Sequence, residues 1–243
     1  DATSLLKMGG GYVNSVVKNT TTCAQSFDQV AVFSGASVIR IQSCWDANER
    51  LTFGYFDRVK GATLNLRQPS GNTTIRANNG FVTTQTNNAT GILGAYLTVS
   101  AENTDIPSDW ARNNDVNIVA YTGYTTLAGD STTIVDNASS NIQISNASTD
   151  TVFLAGTTVS INSLKMKDTA ARMIDLSTGT LRLGSLGGIL TPPSTGSLTL
   201  NNGTLTAGGA DDTAGEIVVV NATTITNTAA VANNGSGAVA LTK

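Results

Sequence analysis

The side chains able to do chemistry are few: carboxylates, two thiols and a handful of aromatic rings. Histidine is absent, which removes the commonest general base near neutral pH and the commonest metal ligand. The acidic pairs are Asp46 with Glu49, Asp105 with Asp109, and Asp211 with Asp212 in the run GGADDTAGE that ends at Glu216. Paired carboxylates cleave glycosidic bonds, and hard oxygen ligands in a glycine-rich loop suit calcium. Each pair falls in a Gly- or Asn-rich turn, however, and the repeated glycine-rich calcium signature is missing. The expectation is a chain that is not an enzyme, with no catalytic residue and no cofactor. Calcium at Asp211, Asp212 and Glu216 is the one metal alternative.

Cys23 and Cys44 are the two thiols. A chain that coils at about their spacing sets them on neighbouring rungs ~4.8 Å apart, inside the ~4.4–6.8 Å between Cα atoms that a disulfide tolerates. A Cys23–Cys44 bond is expected, and with it an oxidising, extracellular setting. Trp45, Trp110, Tyr121 and Tyr124 offer stacking faces; Trp110 and Tyr124 are the candidates for contact with a glycan, and burial in the core is the competing use of such rings. Gly9-Gly10-Gly11 and Gly187-Gly188 lack the Lys and Ser/Thr of a phosphate cradle and read as turns. The Asn-X-Ser/Thr triplets, from Asn19 to Asn234, follow from a composition rich in Asn and Thr.

What must position these groups is a ladder of short strands. From Thr195 to Lys243, runs such as Ser197–Leu200, Thr204–Thr206 and Glu216–Val220 alternate apolar with polar residues and are cut by Asn-Asn-Gly, Gly-Gly or Asn-Gly-Ser, which is strand period with turn punctuation. Leu181, Leu198, Ile217 and Val239 recur at about twenty residues, one coil of a parallel β-solenoid. At 243 residues this predicts about twelve rungs in one domain: an irregular, disulfide-stapled part over 1–60 and regular coils over 61–243. Gly91–Ser100 admits a helical reading that Gly94 weakens. Residues 105–114 read as a loop leaving the coil, with Ser108 able to cap a single helical turn. A net charge of −3 and 13% charged residues offer nothing to neutralise phosphates, so neither nucleic acid nor a membrane is an expected partner.

LTFGYFDRVKGATLNLR (51–67), GILGAYLTVS (91–100), DWAR (109–112), NIVAYTGYTTLAG (117–129), INSLKM (161–166) and the closing NNGTLTAGGADDTAGEIVVV and NNGSGAVALTK resemble, in that order, the autotransporter-associated β-strand repeat proteins. The resemblance implies a right-handed β-solenoid, secreted to the cell surface or matrix and structural or adhesive, with no catalytic residues to carry over. Further repeats and an anchor usually follow in that family, and the cysteine pair is foreign to it.

The end runs Leu5-Leu6-Lys7-Met8 and Val239-Ala240-Leu241 carry apolar side chains in strand pattern with no capping helix. A rung without a cap leaves backbone groups and core side chains open. The expected partners are copies of the same chain, joined head to tail through Leu5, Leu6, Met8, Val239 and Leu241 into a filament. Two readings stand beside this one: a surface adhesin for extracellular glycans, and a β-solenoid polysaccharide lyase or glycosidase.

Overall fold

The structure, a computed structural model, describes residues 4–17, 22–43, 48–69 and 79–243. The described residues contain no helix; parallel strands stack into β-solenoid coils of about eight turns. Two compact units divide the chain, Asp1–Tyr121 and Thr122–Lys243.

The first unit contains β1 (Leu5–Met8), β2 (Gly11–Val17), β3 (Thr22–Val32), β4 (Gly35–Ser43), β5 (Asn48–Arg58), β6 (Ala62–Arg67), β7 (Gly80–Thr83), β8 (Leu97–Ser100), β9 (Asp109–Asn113) and β10 (Ile118–Ala120). The chain alternates between two faces. Strands β1, β3, β5 and β7 pair in parallel on one, and β2, β4, β6 and β8 on the other. Period-two alternation sends Leu51, Phe53 and Phe81 inward from the first face and Ile39, Ile41, Leu64 and Leu66 from the second, all buried in one core. Phe27, Phe53 and Phe81 stack through successive coils with ring centroids 6.3 and 6.0 Å apart. Phe53 and Phe81, fully buried, contribute about 1.5–3 kcal/mol each, and half-buried Phe27 less. Gly54 sits in the middle of β5 because a Cβ there would lie 2.1 Å from the carbonyl oxygen of Asp28.

The helical reading that Gly94 weakened is not realised: residues 91–96 form a series of turns leading into β8. One expectation fails here. Residues 105–114 are not a loop leaving the coil: Asp109–Asn113 is a strand, antiparallel to β8 and to β10. Trp110, at 0% exposure, drives this, because its ring is buried when the chain folds back beside Thr98. The turn before it is fastened by Asp105, whose side chain takes hydrogen bonds from Arg40 and lies 3.5 Å from Arg67. Its backbone carbonyl accepts from Asn65 at 2.8 Å.

The second unit contains β11 (Thr125–Gly129), β12 (Thr133–Ile134), β13 (Asn137–Ala147), β14 (Thr151–Leu154), β15 (Thr158–Met166), β16 (Arg172–Asp175), β17 (Thr180–Leu183), β18 (Leu186–Thr191), β19 (Leu198–Asn201), β20 (Thr204–Ala207), β21 (Gly215–Asn221), β22 (Ile225–Asn227), β23 (Ala230–Val231) and β24 (Val239–Thr242). From β15 onward the coil has three faces. Thr158–Ser160 of β15 pair with β17, and Ser163–Lys165 of the same strand with β18. Rows of inward side chains run through the stack: Leu181, Leu205 and Val231; Val152, Ile174 and Leu200; Ile142, Leu164, Ile189 and Val219.

These rows explain the coil count. Leu181, Leu198 and Ile217 lie in β17, β19 and β21, on three different faces, so their twenty-residue rhythm steps around the coil rather than up it. The true mates are farther apart. Leu181 stacks under Leu205, Leu198 under Ile225, and Ile217 under Leu241 rather than Val239. Asn141 meets Ser163, 22 residues on, in one of the shorter coils.

Candidate functional site

Among the described residues, Asp105, Asp211, Asp212 and Glu216 each have partners of their own. Asp211 forms an ion pair with Arg182. Asp212 accepts the Ser236 backbone N–H at 2.7 Å, and that hydrogen bond, with one from the Ser236 side chain, holds its carboxyl below the usual range. Glu216 is 1% exposed in β21 and accepts the Thr242 hydroxyl. The three proposed calcium ligands thus have three separate sets of partners. Among the described residues no group of three acidic or thiol side chains could hold a metal ion. Asp105 is occupied by Arg40 and Arg67, and Asp46 lies outside the described residues.

The thiols and rings are also placed differently from expectation. Cys23 is exposed on β3 with a free thiol, and Cys44 lies outside the described residues. The rung neighbour of Cys23 is Glu49, because this coil is longer than the spacing of the two cysteines. Trp110 presents no surface to a glycan, being wholly buried. Tyr124 is half-exposed, with the Lys165 ammonium 5.0 Å from its ring centre, an arrangement that favours the cation over the π-face. Trp45 lies outside the described residues.

No protein-family model, curated protein or solved structure matches the chain. The geometry must therefore speak alone.

What it offers is the end of the second unit's core. A cavity of about 150 Å³ opens there, lined by Leu200, Leu205, Val219, Ile225, Val231 and Leu241, with Asn227 and Lys243 beside them. Most are the last members of the inward rows, so the cavity lies at the last coil of the second unit. Leu241 is 60% exposed and Val231 46%, while Val239 is half-buried. Among the described residues β22, β23 and β24 each have a strand on one side and none on the other. In the first unit, β1 and β2 are likewise paired on one side, to β3 and β4. There Leu5 is 44% exposed, Leu6 half-buried and Met8 buried. Such a site can bury apolar side chains and pair a strand.

Arg172 went unnoticed in the sequence, and Glu49, read there as a turn carboxylate, is buried in β5. Arg172, 8% exposed, donates to Asp168 at 2.8 Å, to Asp150 at 2.8 Å and to the carbonyls of Ala147 and Thr149. Glu49 is 1% exposed, and the alternation Glu49-Leu51-Phe53 was the signal that it faces inward.

Proposed function

We propose that this chain is an extracellular structural protein, a right-handed β-solenoid whose copies join head to tail into a surface or matrix filament. The apolar end of the second unit carries the reading. Leu241 and Val231 stand in solvent beside a mostly apolar cavity and strand edges suited to accept another rung. The surface presented by β1 and β2 of another copy is suited to cover it, since Leu5, Tyr12, Val13 and Val16 are exposed there and among the described residues each strand is paired on one side only. Burying Leu241 contributes about 1–2 kcal/mol, and each added strand supplies a row of backbone hydrogen bonds. The contact uses different surfaces on the two copies, so it propagates without closing. Catalysis has no place in this reading.

Electron microscopy and sedimentation of the concentrated protein test it. The expected result is a uniform fibre that Leu241→Asp disperses; monodisperse monomers at high concentration, with the wild-type Leu241 in place, overturn it.

A further inference from the structure

The first unit holds an acid where its neighbours are apolar. Glu49 stands one residue inside β5 and faces the core in the same row as Leu51 and Phe53, both buried. The hydroxyl of Ser15, on β2 of the opposite face, donates to Glu49 Oε1. Glu49 Oε2 has no hydrogen-bond partner among the described residues. The backbone N–H of Glu49 donates to the buried Asn79 side chain at 3.1 Å, so the strand cannot turn the carboxyl outward without losing that bond. We propose that Glu49 is a proton-operated latch between the two faces of the first unit: protonated, it rests buried between them; charged, its unpaired Oε2 must draw in water, which loosens β2 from β5 even though Ser15 still donates to Oε1.

No described cation offsets the charge. On β3 the residue opposite is Cys23. Strand β7 carries no titratable side chain, and β2 carries Tyr12 alone. On β4, Arg40 points away, stacked 4.3 Å from the Tyr12 ring centre and bonded to Asp105. Arg67 of β6 is engaged by Asp105 too. On β5 itself, Arg50 alternates to the other face, Asp57 accepts from Gln29, and Arg58 lies over the Tyr96 ring. Burial without a partner pushes the Glu49 carboxyl up to about 7. An isolated carboxylate in such a place is costly, and the group responds by holding its proton.

The sign follows from linkage. The folded value lies above the unfolded 4.5, so the contribution is complete below pH 4.5 and lost as the pH rises through 7. The unfolding equilibrium constant of the full chain should then rise roughly ten-fold to a hundred-fold between pH 5 and pH 8.5. Urea unfolding at both pH values, for wild type and Glu49→Gln, reads this out. The neutral amide should flatten the dependence, and amide exchange in β2 should quicken at pH 8.5 in wild type beyond its intrinsic pH effect. Titration of the Glu49 side-chain carbon by NMR decides the matter independently, even where Glu49→Gln fails to fold. A midpoint near 7 supports the latch. A midpoint in the ordinary carboxylate range, or an equal pH slope in both proteins, overturns it.

Discussion

Arg172 Nε donates to Asp168 Oδ2 at 2.8 Å, four residues away along the chain, and both side chains are almost fully out of solvent. The same guanidinium reaches Asp150, whose side chain is 93% exposed. Removing one member of a buried pair strands the other charge, which costs about 3–5 kcal/mol, whereas an exposed partner is worth less than about 1 kcal/mol. Arg172→Leu should therefore lower the urea midpoint severely and Asp150→Ala barely. Equal effects from both would show that the buried bond is not what holds this corner.

The same pair sets an acid limit. Burial acts to raise the Asp168 carboxyl, but hydrogen bonds from Arg172 and from the Ala170 and Ala147 backbones outweigh it, and the group sits below its usual 3.8. Its contribution is complete above pH 3.8 and lost as the pH falls through the lower folded value. Asp175, held down by Asn202 and the Ser177 backbone, acts in the same direction. Acid unfolding followed by circular dichroism should set in steeply below pH 4 in wild type. Asp168→Asn should be less stable at neutral pH and show a shallower acid limb.

Strand type was legible in the sequence because period two and Asn-Gly punctuation are local signals. Coil length was not, because a three-faced coil shows an apolar centre on every face. Leu181, Leu198 and Ile217 look like successive rungs until the register joins Leu181 to Leu205. Residues 109–113 read as loop since Asp109, Arg112 and Asn113 are polar, yet one buried Trp110 outweighs them. The apolar ends were legible from Leu5 and Leu241. The cavity beside Leu241 was not, since it is assembled from seven strands, β18 to β24, each a separate stretch of the sequence.

Asp105 fastens the turn of residues 101–108 over Asn65 and Ser100, both of which are buried. Arg40 and Arg67 are partly open to water, so the ion pairs are screened and the loss on Asp105→Ala is about 1 kcal/mol. Local opening should respond more than global stability. Limited proteolysis should cut within residues 101–108 faster in Asp105→Ala, and faster in wild type when salt is raised. An unchanged cleavage rate in both cases would show that the turn is held by its backbone alone.

One substitution at two glycines separates two physical causes. At Gly129 a Cβ meets nothing within 4 Å, and the residue has φ +56°, so Gly129→Ala costs the left-handed strain of an L-residue, about 1–2 kcal/mol. At Gly54 a Cβ would sit 2.1 Å from Asp28 O and 2.9 Å from its carbonyl carbon. Backbone cannot step aside there, because Phe27 and Phe53 are in register on one side of the contact and Gln29 and Tyr55 on the other. Gly54→Ala must therefore part β3 from β5 and disturb the Phe27–Phe53–Phe81 stack. The expected loss approaches the roughly 3–5 kcal/mol of deleting a core phenylalanine. Equilibrium unfolding of both variants, with near-ultraviolet circular dichroism reporting on the stacked rings, measures it. A Gly54→Ala protein as stable as Gly129→Ala, with an unchanged aromatic signal, would show that the two strands do not approach as closely as the structure places them.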